Sequence, residues 1–192
     1  MIVHCIDTET TGLYPEQGHE IIEIGIVTAH VKLDGKKSRV TVLDDWATKI
    51  KPIRIHTANP EAIRINGYCP DKWTGAPYWA SVTELIQHHT REGLVIGWNV
   101  QFDLRFINSY FNTPLVSNRS LDVMSMAHAI LGPLGQKSMS LSATRKTFGI
   151  NPYGAHTALK DARDTVEIYR RLLSMTWLEQ CRIKYHLSRQ LK

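Results

Sequence analysis

The sequence predicts an α/β fold built on a mixed sheet of about five strands, and three observations carry that expectation. Three runs rich in β-branched residues come first, at residues 1–7, about 20–31 and about 39–51. From residue 80 onward the apolar pattern changes to helical spacing, interrupted by one short apolar run at 94–97. Finally, paired and isolated acids fall at the ends of these segments, where α/β sheets collect ligand groups.

Each element has a local reason. Glu20-Ile21-Ile22-Glu23-Ile24-Gly25-Ile26-Val27 reads as a strand, and Asp34-Gly35 marks the turn into the next one, so the first three strands form an antiparallel meander. Residues 52–79 hold Pro52, Pro60, Pro70 and Pro77 and read as loops around one short helix near 58–65. Ser81, with Glu84 three residues on, fits a capping box opening a helix to about 92. Leu94-Val95-Ile96-Gly97 is a short buried strand, and helices follow at 101–111, 122–131, 140–148 and 158–174, with Gly132-Pro133 and Gly149 as stops. Residues 1–174 form one domain in this reading. Residues 175–192 are its helical tail, expected to pack back through Trp177, Leu178, Cys181, Tyr185 and Leu187.

Size and charge narrow the classes. A chain of 192 residues, 43% hydrophobic and 21% charged, can bury a sizeable globular core. No apolar run approaches the roughly 18 residues of a membrane span, and the N-terminus shows no signal peptide, so a cytoplasmic location is expected. Cys5, Cys69 and Cys181 are an odd number without paired spacing and read as reduced thiols. The net charge of +5 fits a polyanionic partner.

Asp7-Thr8-Glu9-Thr10-Thr11-Gly12 ends the first strand. Side chains alternate along a strand, so Asp7 and Glu9 share one face and can reach one hard cation through oxygen ligands. A second segment, Trp98-Asn99-Val100-Gln101-Phe102-Asp103, follows the strand at 94–97 and opens a helix. A third, His156-Thr157-Ala158-Leu159-Lys160-Asp161, enters the last long helix. Each is unremarkable alone: Asp103 can be a dipole-favoured acid at a helix start, and His156 a surface imidazole.

Together, the order D-x-E, N-x-x-F-D, H-x-x-x-x-D resembles the DEDD superfamily of 3′→5′ exonucleases, and a histidine five residues before the last acid is similar to its DEDDh (DnaQ-like) branch. The resemblance spans roughly residues 1–174 and includes Ile65-Asn66-Gly67, Gly75-Ala76-Pro77 and Ser140-Leu141 ahead of Phe148-Gly149-Ile150. It implies a ribonuclease H-like sheet flanked by helices. It also implies two divalent ions, Mg²⁺ or Mn²⁺, which at about 3.5–4 Å apart activate water, neutralise the phosphate and support the leaving oxygen.

By this resemblance Asp7 bridges both ions, Glu9 and Asp161 complete one site, Asp103 supports the other, and His156 takes the proton from water. The backbone of Thr10, Thr11, Gly12 and Leu13 holds the terminal nucleotide, with Leu13 wedged against its base. Asn66 and Phe102 are further candidate contacts. Trp98 and Asn66 stand where relatives often carry histidine. Asn99 is expected to fix its loop through side-chain hydrogen bonds. His88, His89 and His128 read as surface or packing residues, and Tyr68, Trp73, Tyr78 and Trp79 as loop anchors or base-stacking platforms.

The implied activity is release of nucleoside 5′-monophosphates from single-stranded 3′ ends. Thr10-Thr11-Gly12 resembles the proofreading and DNA-repair members, which favours DNA over RNA trimming of the oligoribonuclease or ribonuclease T kind. The chain stops soon after the domain, without the long extension that holds epsilon-type subunits to a polymerase, so a stand-alone enzyme is expected. A catalytically silent nucleic-acid-binding module is the reading from another class. It requires a lost acid, and all five positions are filled.

Overall fold

A computed structural model describes residues 1–35, 37–111 and 119–189. Five strands, Ile2–Thr10 (β1), Ile21–Lys32 (β2), Arg39–Lys49 (β3), Leu94–Gly97 (β4) and Ser120–Asp122 (β5), form one sheet in the order β3-β2-β1-β4-β5. The first three are antiparallel, as the Asp34-Gly35 turn predicts, whereas β4 runs parallel to β1 and β5 parallel to β4. This is the mixed, helix-flanked sheet expected from the sequence. β5 has only three residues, too few for alternation to reveal, and the sequence pattern did not place it.

Alternation deals the side chains of β1 to two cores. Val3 and Cys5 face one, with Val27, Ala29 and Val31 of β2. Helices Val123–Leu131 (α4) and Ala158–Ser174 (α6) cover that face through Val123, Ala127, Ala162, Val166 and Tyr169. Ile6 faces the other core with Ile24 and Ile26, beneath helices Thr83–Thr90 (α2) and Val100–Asn108 (α3). The remaining helices are Pro60–Asn66 (α1), Leu141–Phe148 (α5) and Trp177–Arg189 (α7). Among the described residues no helix is long and apolar enough to cross a membrane.

Side-chain caps open three of the helices. Asn59, Asp122 and Ser140 each accept a backbone N–H in the first turn of α1, α4 and α5. Ser81 does not play the part expected of it. It lies in a 3-10 turn at Trp79–Ser81, and Val82 stands at the cap of α2 without a side-chain bond. Val82 and Ile86 are both buried, so packing sets where that helix begins. In α7 the expected inward packing is reduced to Ile183 against the core, while Trp177, Leu178 and Tyr185 stand more than half exposed. Residues 190–192 of that predicted tail lie outside the described residues.

Gly25 on β2 lets the start of α6 approach the sheet. A Cβ there would come within 2.5 Å of the Ala158 carbonyl carbon and the Leu159 nitrogen. Both obstacles are backbone, so Gly25→Ala must push α6 outward, at a cost of roughly 1–3 kcal/mol for overpacking. Thermal unfolding should fall by about 2–4 °C for each kcal/mol in a chain of this size. An unchanged Tm would show that α6 does not lean on this strand.

Candidate active site

The four predicted acids gather where β1 and β4 end and α3 and α6 begin, and the backbone of His156 is tied to one of them, Asp161. Asp7, Glu9 and Asp161 present carboxylate oxygens that all lie within 4.8 Å of one another, a set of donors suited to a divalent cation. Asp7 and Glu9 descend from the α6 face of β1, and Asp161 enters from the first turn of α6. Asp103 comes from the opposite layer. It is buried in the first turn of α3 and accepts a hydrogen bond from the Thr8 hydroxyl at 2.7 Å. Thr8 points to the α3 side because it lies between the two acids on the strand. A D-x-E pair therefore reserves its middle residue for an acid from the other face.

The crowding leaves its mark on the carboxyls. Burial raises Asp7 well above its ordinary value, with Asp103, Asp161 and Glu9 adding like-charge repulsion and Arg145 opposing it. Burial, then Asp161 and Glu23, pushes Glu9 up to about 8. Burial likewise pushes Asp103 up to about 7, against the Thr8 hydrogen bonds. Acids in this condition are short of positive charge, and a bound cation would supply it.

His156 lies on the loop before α6, exposed and in the left-handed region at φ 66°. Its backbone N–H donates to Asp161 Oδ1 at 3.2 Å, which ties the loop to the acid. Glu23 opposite Glu9 on β2 accepts the Ala158 N–H at 3.0 Å and seats the start of α6.

Beside the acids opens a cleft of about 360 Å³, lined by Thr10, Gly12, Leu13, Ala62, Ile65, Asn66 and Phe102 together with Thr8 and Glu9. Its rim is held from behind. Thr11 is fully buried and turned away from the cleft, its hydroxyl accepting the Glu20 N–H at 2.8 Å. Gly12 lies against the His19 ring, 2.5 Å from where a Cβ would sit. Arg105 donates to the Leu13 carbonyl at 2.5 Å and leaves the Leu13 side chain more than half exposed. Asn66 reaches the cleft wall, but its amide is engaged in donating to the Thr10 carbonyl and accepting the Tyr68 N–H.

Of the remaining expected residues, Asn99 departs from its role. Asn99 fixes its loop through the backbone: it is left-handed at φ 60°, and its N–H donates to Asp122 Oδ1 at 2.8 Å. Trp98 donates its indole N–H to the Met139 carbonyl. Trp73 is buried and bonded to the Ile22 carbonyl, and Trp79 stacks on Tyr110, so both are anchors; Tyr78 stays half exposed. His89 stacks on Trp46. Cys5, Cys69 and Cys181 are unpaired thiols.

A family model described as Exonuclease (RNase_T) matches residues 4–169. The chain belongs to this exonuclease family. Its enzyme class is accordingly that of a 3′→5′ exonuclease, a phosphodiester hydrolase. The DNA polymerase III subunit epsilon of Treponema pallidum (strain Nichols) is 28% identical over 174 residues, covering 88% of this chain and 75% of that protein. Among solved structures, the zinc-bound E. coli ExoI–ssDNA complex superposes with a TM-score of 0.70 at 19% identity, over 98% of this chain and 43% of that one. The nuclease domain of 3′hExo, a DEDDh family member bound to rAMP, gives 0.69 at 18% identity, over 90% and 91%. At these identities the likeness is one of fold. The chain spans less than half the length of the ExoI chain.

The raised acids make a prediction about pH. Without cations the folded protein keeps protons on Glu9 to about pH 8 and on Asp103 to about pH 7, whereas unfolded carboxyls release theirs near pH 4. Between those limits the folded state binds more protons than the unfolded one, so stability falls as pH rises. In EDTA the Tm should drop from pH 5.5 to 8.5, and added Mg²⁺ or Mn²⁺ should restore most at the upper end. A flat profile in EDTA would mean that these acids are already ionised at pH 5.5.

Proposed function

We propose that the chain is a metal-dependent exonuclease that releases nucleoside 5′-monophosphates from the 3′ end of single-stranded nucleic acid, with DNA favoured. The observation that carries this reading is the acid trio, with oxygens within 4.8 Å of one another, whose Glu9 also lines a cleft walled by Leu13, Ala62, Ile65 and Phe102. The apolar walls suit the faces of a base, and the acids lie where its phosphate would enter.

Two divalent cations, Mg²⁺ or Mn²⁺, match the all-carboxylate donor set, and bound there they supply charge neutralisation and a more acidic water. Asp7 would bridge the two, Glu9 and Asp161 would hold one with it, and Asp103 the other. His156, exposed and tied by its backbone N–H to Asp161, takes the proton of the attacking water as general base. The water oxygen bonds to phosphorus, the bond to the 3′ oxygen breaks, and that oxygen takes up a proton. Leu13, held out by Arg105, wedges beside the terminal base, and the backbone at Thr10 to Gly12 grips the nucleotide. Phe102 closes the opposite wall. The narrow seat favours an unpaired end.

The preference for DNA is supported by relatives named DNA polymerase III subunit epsilon, which also fit a cytoplasmic protein with access to a replication partner. The silent-module reading finds no support, since the acids it would have lost are present and grouped.

The test uses 5′-labelled single-stranded DNA and RNA oligonucleotides with Mg²⁺ or EDTA. Wild type should give a ladder shortening from the 3′ end only with metal, faster on DNA. Asp7→Asn should abolish it with the fold intact, and His156→Ala should lower kcat about 10²–10⁴-fold. Near-normal turnover by Asp7→Asn would remove the site assignment.

A further inference from the structure

Arg145 is an unusual residue for the place it occupies. It lies on α5, 3% exposed, in a helix whose Leu141 and Phe148 pack against the core and whose Ser142 and Lys146 face solvent. Its guanidinium spans two acids of α6: Nη2 donates to Asp161 Oδ1 at 2.5 Å and Nε to Asp164 Oδ2 at 2.6 Å. Asp164, itself buried, also accepts from Lys160 Nζ through both oxygens. A buried cation of this kind is strongly fixed, because removing one partner strands the others without solvent. Asp161 Oδ1 accepts the His156 N–H as well, so one oxygen of that carboxylate is committed to protein donors.

We infer that Arg145 is a positioning residue for Asp161: by holding Oδ1 it fixes the carboxylate so that Oδ2 is presented to a divalent cation shared with Asp7 and Glu9. The inference rests on the metal-site reading given under Proposed function. Asp164 and Lys160 set the guanidinium in turn. The chain thus carries a relay Lys160–Asp164–Arg145–Asp161 that runs from the surface to the acid trio. A planar fork suits this task, since it can satisfy two carboxylates in fixed directions, whereas a lysine would reach one. The opposite expectation is that a cation beside the site repels Mg²⁺, so that its loss tightens binding. The two differ in sign.

The experiment is calorimetric titration of Mn²⁺ into the full chain without nucleic acid, paired with the Mg²⁺ dependence of oligonucleotide cleavage. Arg145→Met should weaken Mn²⁺ binding about 10–100-fold, the usual effect of losing a group that orients a metal ligand. The Mg²⁺ half-saturation should rise in parallel, with kcat at saturating Mg²⁺ much less affected. Arg145→Lys should recover part of the affinity. If Arg145→Met does not fold, Asp164→Asn carries the test and should weaken binding in the same direction. Unchanged or tighter Mn²⁺ binding in the folded variants would overturn the inference, because a purely structural role lowers Tm without moving the metal isotherm. If wild type itself binds no Mn²⁺, the metal-site reading fails, and this inference with it.

Discussion

Forcing four carboxylates together at the end of one strand is the constraint on which the rest of this structure turns. Like charges at these separations repel, and partial burial deprives them of water that would screen the repulsion. The fold must therefore hold them by force applied elsewhere. β1 is flanked on both sides, by β2 along nearly its whole length and by β4 near its start, so Asp7 and Glu9 cannot swing apart. Thr8 holds Asp103 from one layer, and Arg145 holds Asp161 from the other. Gly25 and Glu23 bring the start of α6 against β2. Each contact is ordinary in kind. Their common effect is to keep an unfavourable cluster assembled before any cation arrives.

The two-core arrangement explains why the site needs both halves of the chain. Alternation along β1 sends odd residues toward α4 and α6 and even residues toward α2 and α3. An acid pair on a single face can be completed by α6 alone, and Asp161 does so. Asp103 must instead reach the site from α3, past the edge of the sheet, and Thr8 is the residue positioned to receive it. The site thus lies at the seam between two cores, open to solvent at the strand ends and backed by packed side chains.

The features legible in the sequence were local ones. The D-x-E pair needs only a strand to place both acids on one face, and the turn at Asp34-Gly35 needs only its own residues. Capping by Asn59, Asp122 and Ser140 is local too, but the one cap read from the sequence was Ser81, where burial of Val82 decides the helix start instead. Arg145 was invisible for the opposite reason. Within Leu141–Phe148 it reads as one more solvated base beside Lys146, and its partners lie 16 and 19 residues away on another helix. The engagement of Asn66 and the inward turn of Thr11 were likewise hidden, since they depend on where Thr10 and Glu20 arrive in space.

The groups of the proposed reaction divide between firmly held and accessible positions. The acids lie on β1 and on the first turns of α3 and α6. His156 lies on a connecting loop, exposed and in a left-handed conformation that histidine tolerates better than most residues. Its side chain is free to meet water and substrate, while its backbone N–H stays tied to Asp161. That bond couples the loop to the acid, so an element that displaces Asp161 displaces the base as well. Because Arg145 grips the same oxygen, Asp161 Oδ1 is the point at which the position of the acid and the position of the histidine are set together.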